Sequence, residues 1–189
     1  MVLRGFRQAY DALHAFVRDR PVCFLYSQSM MQAFDVSAGV FVRGLSNLKT
    51  LLTKGEAHGT KVTASLVEGM QDLATQVHWV SEGSKAALDR VIAGSLAPAA
   101  PPSGAMTFAD LHASIDGAIS YLEAIDPAAL EAGFERAIEL PVRGGTKSYR
   151  GDRFLLEFAL PNFFFHLTLV YAILRKEGVP LEKGDFMGR

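Results

Sequence analysis

A single cysteine, Cys23, stands among 189 residues, so the chain carries neither an intramolecular disulfide framework nor a multi-thiolate zinc site. A reducing, cytoplasmic setting is expected on that ground. Charge of neither sign is in excess. The 19 lysines and arginines balance 20 aspartates and glutamates, and a chain without a basic field is not built to hold a phosphate backbone. Nucleic acid is therefore not expected as a partner. Long unbroken apolar runs are missing too: Arg, Glu, Pro or His interrupts each of them well short of the roughly 18 residues that a membrane span takes. No cleavable leader with a small-residue cleavage site is evident, and no membrane partner is expected. Glycine-rich phosphate loops, nucleophile elbows, HExxH and EF-hand patterns are likewise absent, which sets those functional classes aside.

What is present is apolar and helical in spacing. Hydrophobic residues make up 49% of the chain, enough to fill one sizeable core in one domain. Leu3, Phe6, Tyr10, Leu13, Phe16 and Val17 have the spacing of a short amphipathic helix, and Pro21-Val-Cys-Phe-Leu-Tyr26 has strand-like composition with no partner strand. From Phe34 to about His58, the residues Val36, Val40, Phe41, Leu45, Leu48, Leu51 and Leu52 mark a first bundle helix. A second is expected from about Val67 to Ile92, interrupted by Gly83. Ala93 to Ala105, with Pro98, Pro101, Pro102 and two glycines, reads as an extended linker. Thr107 and Asp110 form a capping-box pattern that opens a third helix through Leu122. After Asp126-Pro127, the stretch that includes Leu140-Pro-Val-Arg-Gly-Gly145 and ends at Tyr149 suits a two-strand flap turning at Gly144-Gly145. A fourth helix follows from Asp152, as its N-cap, to about Lys176, and Gly178 and Pro180 stop it. The fold class predicted is all-α, a four-helix bundle.

The fourth helix is the most informative. Phe154-Leu-Leu-Glu-Phe-Ala-Leu-Pro-Asn-Phe-Phe-Phe-His166 puts a proline and a histidine inside one apolar helix. Pro161 removes a backbone donor and crowds the Glu157 carbonyl, so a bend is expected there. Asn162 and His166, four apart, share a face just past it. Two readings of that face stand: a kink whose polar groups satisfy one another, or the wall of a small-molecule site.

The segment from Ala159-Leu-Pro-Asn-Phe-Phe-Phe-His166 through Tyr171-Ala-Ile-Leu-Arg175, Gly178-Val179, Lys183, Asp185-Phe186 and Gly188 carries a resemblance. With Phe41-Val-Arg-Gly-Leu-Ser-Asn-Leu48, Lys54-Gly-Glu-Ala-His58 and Thr107-Phe-Ala-Asp-Leu111, it is similar to domain of unknown function family 1993, placed with the DinB-like four-helix proteins. The resemblance spans about Met31 to Gly188. Residues 1–30 thus read as an N-terminal extension, either lineage-specific or the product of an upstream start codon, and residues 31–189 as the bundle domain. It implies a homodimer, for which exposed apolar positions on the first two helices would supply the contact. It also implies a divalent metal held by three histidines, two of them four apart on one helix. Here that late pair reads Asn162 and His166, and His78 has no secure correspondence to the earlier ligand, so the set looks incomplete and no metal ligands are assigned.

Three functions follow. The first is an enzyme acting on a small apolar molecule by metal-free acid and base chemistry, with His166 as the acid or base and Asn162 orienting a carbonyl. The second is a non-catalytic ligand-binding or dimerising scaffold, and the third is the metal-dependent transferase or hydrolase that the superfamily implies. His78, Phe163 and Tyr171 complete the ligand-binding candidates, although Tyr171 falls on another face of its helix and Phe163 belongs to a phenylalanine run that also suits the core. Gln71, Thr75, His78 and Glu82 form a polar stripe whose first reading is a solvated outer face, with a cavity lining as the alternative. His58 suits helix capping, and His14 and His112 suit the surface.

Overall fold

Local chemistry sets most element boundaries in the computed structural model, which describes residues 32–94, 100–102, 104–142 and 144–189. His14, Cys23 and the two N-terminal stretches lie outside the described residues. The unit from Ala33 to Arg189 begins with a single turn, α1 (Ala33–Val36), which breaks at Ser37 and continues as α2 (Ala38–Ala57). Helix α3 (Leu73–Ala93) starts later than the apolar spacing predicted. Asp72 is its N-cap and accepts from the Thr75 backbone N–H at 2.9 Å and the Thr75 hydroxyl at 2.6 Å, so the cap overrides Val67 and Met70 upstream. Gly83 does not interrupt α3.

Helix α4 (Phe108–Glu123) opens on the expected capping box: Asp110 N–H donates to Thr107 Oγ1 at 3.2 Å, and Thr107 N–H donates to Asp110 Oδ2 at 2.8 Å. Thr107→Ala is expected to cost about 1 kcal/mol, measurable as a lowered midpoint in a urea melt. A short α5 (Pro127–Phe134), with Asp126 as N-cap and proline in its first turn, occupies sequence read as part of the connection to the flap. Strands β1 (Ala137–Val142) and β2 (Gly145–Arg150) then pair antiparallel from Val142↔Gly145 to Ala137↔Arg150. The flap is therefore real, with Gly144 in its turn, but Gly145 already belongs to its second strand.

Helix α6 runs from Gly151 to Lys176 without a break. Arg150 is its N-cap, so Asp152 falls in the first turn, where its carboxylate binds Arg150 and accepts from the Arg153 N–H at 2.7 Å. Pro161 produces no break. The turn before it, Leu155–Ala159, is a π-helix, closed by the Leu160 N–H on the Leu155 carbonyl. Glu157, whose carbonyl the proline ring would crowd, sits within that widened turn. The helix thus passes through both residues that were expected to cut the apolar run short. At 26 residues and a mean hydropathy of 1.4 in its most apolar window, it is long and apolar enough to cross a membrane by length and composition alone. One face packs into the bundle core through Phe163, Leu167, Val170 and Leu174. A final turn, α7 (Lys183–Met187), docks on α2 through Asn47 Nδ2 to the Phe186 carbonyl at 3.1 Å and Lys54 to Asp185 at 2.5 Å.

Helix directions follow from these contacts. Phe41 meets Phe163, and a side chain at Gly44 or Gly55 would strike Phe163 or Leu174, so α2 and α6 run parallel and closely packed. Lys49 pairs with Asp116 at 2.6 Å and Glu56 with His112 at 3.4 Å, which makes α4 antiparallel to α2. Gln76 meets His166 and Arg90 lies over Phe154, so α3 is antiparallel to α6. Helices α3 and α4 are consequently parallel neighbours, and the connection between them must travel back along the bundle.

Candidate functional site

Where α3 crosses the C-terminal half of α6, a glutamine and a histidine meet. Gln76 is 2% exposed, on the same face of α3 as Leu73, Val77 and Val80. A buried amide must find partners. Its Nε2 donates to the Gln71 carbonyl at 3.3 Å, which turns Oε1 towards His166. The His166 Nδ1–H donates to that oxygen at 2.7 Å. The proton is thereby held on Nδ1, and Nε2 keeps its lone pair with no hydrogen bond from a described residue. Half-burial lowers the His166 pKa below its ordinary value, because the charged ring loses solvation. The Phe165 ring stands edge-on to the imidazole at 5.2 Å between centroids, and Trp79 lies on another side at 6.4 Å.

The π turn matters to this placement. It adds one residue to the helix, and one residue corresponds to about 100° of helical phase. Without it, Phe154 and His166 would not both face α3, as their contacts with Arg90 and Gln76 require.

The remaining sequence candidates separate. Asn162, one turn before His166, is exposed, and its amide bonds no described residue. Phe163 is 2% exposed and packs against Phe41 with ring centroids 4.8 Å apart. Tyr171 is half-buried and meets the Phe186 ring at 5.8 Å, on the side where α7 docks. His78 faces the groove between α3 and α4. Its Nε2 lies 2.8 Å from the Ala100 carbonyl of the returning linker, and its ring meets Trp79 edge-on at 5.3 Å. Trp79 therefore separates the two histidines. His58 holds the C-cap position of α2 as expected, whereas His112 is half-buried against Glu56.

That groove is a cleft of about 580 Å³, lined on α3 by His78, Glu82, Lys85 and Asp89 and closed by Pro101, Pro102 and Tyr121. The stripe read first as a solvated face thus forms a cleft wall at His78 and Glu82. The groove arises because α3 and α4 run parallel and Ala100, Pro101 and Pro102 lie against it. Lys85 pairs with Glu82 at 2.8 Å, and the Tyr121 hydroxyl donates to Asp89 at 2.5 Å, which raises the phenol pKa.

Gln76 was missed in the sequence. Its signal was a polar residue on an apolar stripe, since Leu73, Val77 and Val80 share its helix face.

Long helices with a short hairpin before the last form a DinB-like helical bundle. The crystal structure of a DinB family member protein from Shewanella denitrificans is similar with a TM-score of 0.72 at 27% identity, covering 82% of this chain and 92% of that one. The family described as domain of unknown function (DUF1993) matches residues 33–187, and the chain belongs to it. No curated protein matches.

The residues present do not fit the three-histidine metal centre that the wider group implies. His166 bonds the amide of Gln76, and the residue one turn before it is Asn162; amide oxygens are weak ligands for zinc or nickel. Among the described residues, no three of His, Cys, Asp and Glu gather within reach of one ion.

Proposed function

We propose that this bundle is an enzyme in which His166 acts as a general base, without a metal, on a small and largely apolar molecule. The observation that carries the reading is the 2.7 Å bond from His166 Nδ1 to a buried glutamine that is itself anchored. It fixes the ring and its tautomer and leaves Nε2 as the basic nitrogen. On accepting a proton, the ring would become an imidazolium whose Nδ1–H still points at the Gln76 oxygen, and the proton could then be returned elsewhere on the same molecule. Phe165 and Trp79 supply apolar walls. Protonation of one imidazole, reversed within one turnover, suits an isomerisation or a cyclisation. A cytoplasmic location belongs to the same reading.

The lowered pKa keeps the ring neutral at pH 7 and into mildly acidic solution. The sign for stability is acid-sensitive. The folded chain binds this proton less readily than the unfolded chain, so the contribution is complete above the ordinary value of about 6.5 and is lost as pH falls below it.

The test uses 5-nitrobenzisoxazole, a small aromatic molecule whose ring opens when a base removes its one acidic C–H proton. The full-length protein is expected to accelerate the opening, with a rate that falls in acid through a pKa below 6.5. His166→Ala is expected to lose about 100-fold or more, the usual range for a positioned base. Equal rates for the two proteins at every pH would sink the assignment. The second reading, a ligand-binding module, is favoured by the 580 Å³ cleft at His78. It would gain if His166→Ala left the rate unchanged.

A further inference from the structure

The cleft between α3 and α4 holds one carboxylate more than its own cations satisfy. Among the described residues that line it, Glu82 and Asp89 are acids and Lys85 is the ammonium. Lys85 is committed to Glu82 at 2.8 Å. Asp89 is served only by a neutral donor, the Tyr121 hydroxyl, which bonds its Oδ1 at 2.5 Å, and no described cation stands within ion-pair distance of it. That bond raises the Tyr121 pKa, so the phenol keeps its proton and goes on donating. A carboxylate has about four acceptor sites, and those of Asp89 Oδ2 take no hydrogen bond from a described residue.

The rest of the cleft is long and largely apolar. His78 Nε2 meets the Ala100 carbonyl at 2.8 Å, which anchors the chain immediately before Pro101 and Pro102. These prolines, Met106 and Ala86 make up the apolar part of the lining. His78 and Asp89 are three turns apart on α3, about 16 Å along its axis, so the unpaired acid and the prolines belong to opposite ends. The volume of about 580 Å³ is that of a small-molecule site.

We infer that this cleft binds an elongated small amine, with a single ammonium group at one end and an apolar body behind it. The ammonium meets Asp89 Oδ2, and the body runs past Ala86 towards Pro101 and Pro102. Other charge types fit less well. An anion would face two carboxylates with the lysine already taken, and a dication would have to strip Lys85 from Glu82. A neutral apolar molecule would displace water from Asp89 and give it no countercharge in return. The inference rests on the ligand-binding reading of the cleft and not on His166, because Trp79 stands between His78 and His166.

The experiment is isothermal titration calorimetry of the full-length chain with 4-phenylbutylamine at pH 7. Binding of one molecule per chain is expected, and 4-phenylbutanol, the same body without the charge, should bind about tenfold more weakly. Asp89→Asn, which keeps an oxygen for the Tyr121 hydroxyl, should weaken the amine about tenfold and leave the alcohol unchanged. Ala86→Phe should block both with unaltered far-ultraviolet circular dichroism, whereas His166→Ala should bind the amine as the wild type does. No binding of the amine overturns the proposal, as does equal binding of the alcohol or indifference to Asp89→Asn. Loss of binding in His166→Ala also overturns it, by placing the amine at His166 instead. Equal affinity for Nα-acetyl-lysine amide, which has the ammonium without the apolar end, would overturn it in favour of a lysine side chain from a peptide.

Discussion

Phe163→Ala is expected to lower the stability of the folded chain by about 3–5 kcal/mol, the range for emptying an aromatic site in a packed core. Burial and two contacts set the size. The ring is 2% exposed, its centroid is 4.8 Å from that of Phe41, and its edge fills the space that a side chain at Gly44 would need. Neither α2 nor α6 can close the void cheaply, because both are held by neighbouring layers such as Leu174 against Gly55. In a chain of this length the loss corresponds to a fall in Tm of about 10 °C, which differential scanning calorimetry would show. A fall of only a degree or two would mean that Phe163 faces a cavity able to collapse, and would return it to the ligand-binding candidates.

The second large effect is expected at Gly151. A Cβ built there would stand 2.0 Å from the Gly133 carbonyl oxygen, and one at Gly133 would stand 2.6 Å from the Val91 carbonyl oxygen. Three backbones therefore touch where α3, α5 and the start of α6 converge, and backbone cannot rotate out of the way as a side chain can. Gly151→Ala is expected to cost about 3 kcal/mol or more, at the upper end for overpacking. The gain in intrinsic helix propensity, about 1 kcal/mol, is too small to offset it. Urea melts of the wild type and the variant would settle the sign, and a stabilised variant would show that α5 is free to slide. The two substitutions lie about 18 Å apart along α6, so their combination should be near additive.

The parts of the fold that were legible in the sequence are those decided locally. Apolar spacing located the four long helices, the Thr107–Asp110 pair opened α4, and the Gly144 region turned the hairpin. Errors arose where one polar residue outweighed a run of apolar ones. Asp72 caps α3 and discards Val67 and Met70, and Asp126-Pro127 was a helix-opening signal read only as the start of the connection to the flap. The relief of the Pro161 crowding by a π turn is a choice among helix geometries that no local sequence rule encodes. The site was half legible. His166 stood out because it interrupts an apolar run, but its partner is 90 residues away. The stripe at His78 and Glu82 became a cleft because α3 and α4 run parallel with Ala100, Pro101 and Pro102 against the groove, an arrangement hinted at only by the length of the linker.

The position of α6 after α2, α3 and α4 has a consequence for biosynthesis. It supplies Phe163, Leu167, Val170 and Leu174 to the core, and α7 then fastens the assembled end through Asn47 and Lys54. Helices α2 to α4 leave the ribosome with the groove that receives α6 still open, including Gly44 and Gly55. The nascent chain must therefore carry uncovered leucine and valine surface until α6 itself has been made, the condition under which half-made bundles stick to one another or to a chaperone. Slowing translation beyond residue 150 should accordingly increase the fraction that aggregates, whereas the same pause within α2 should matter little.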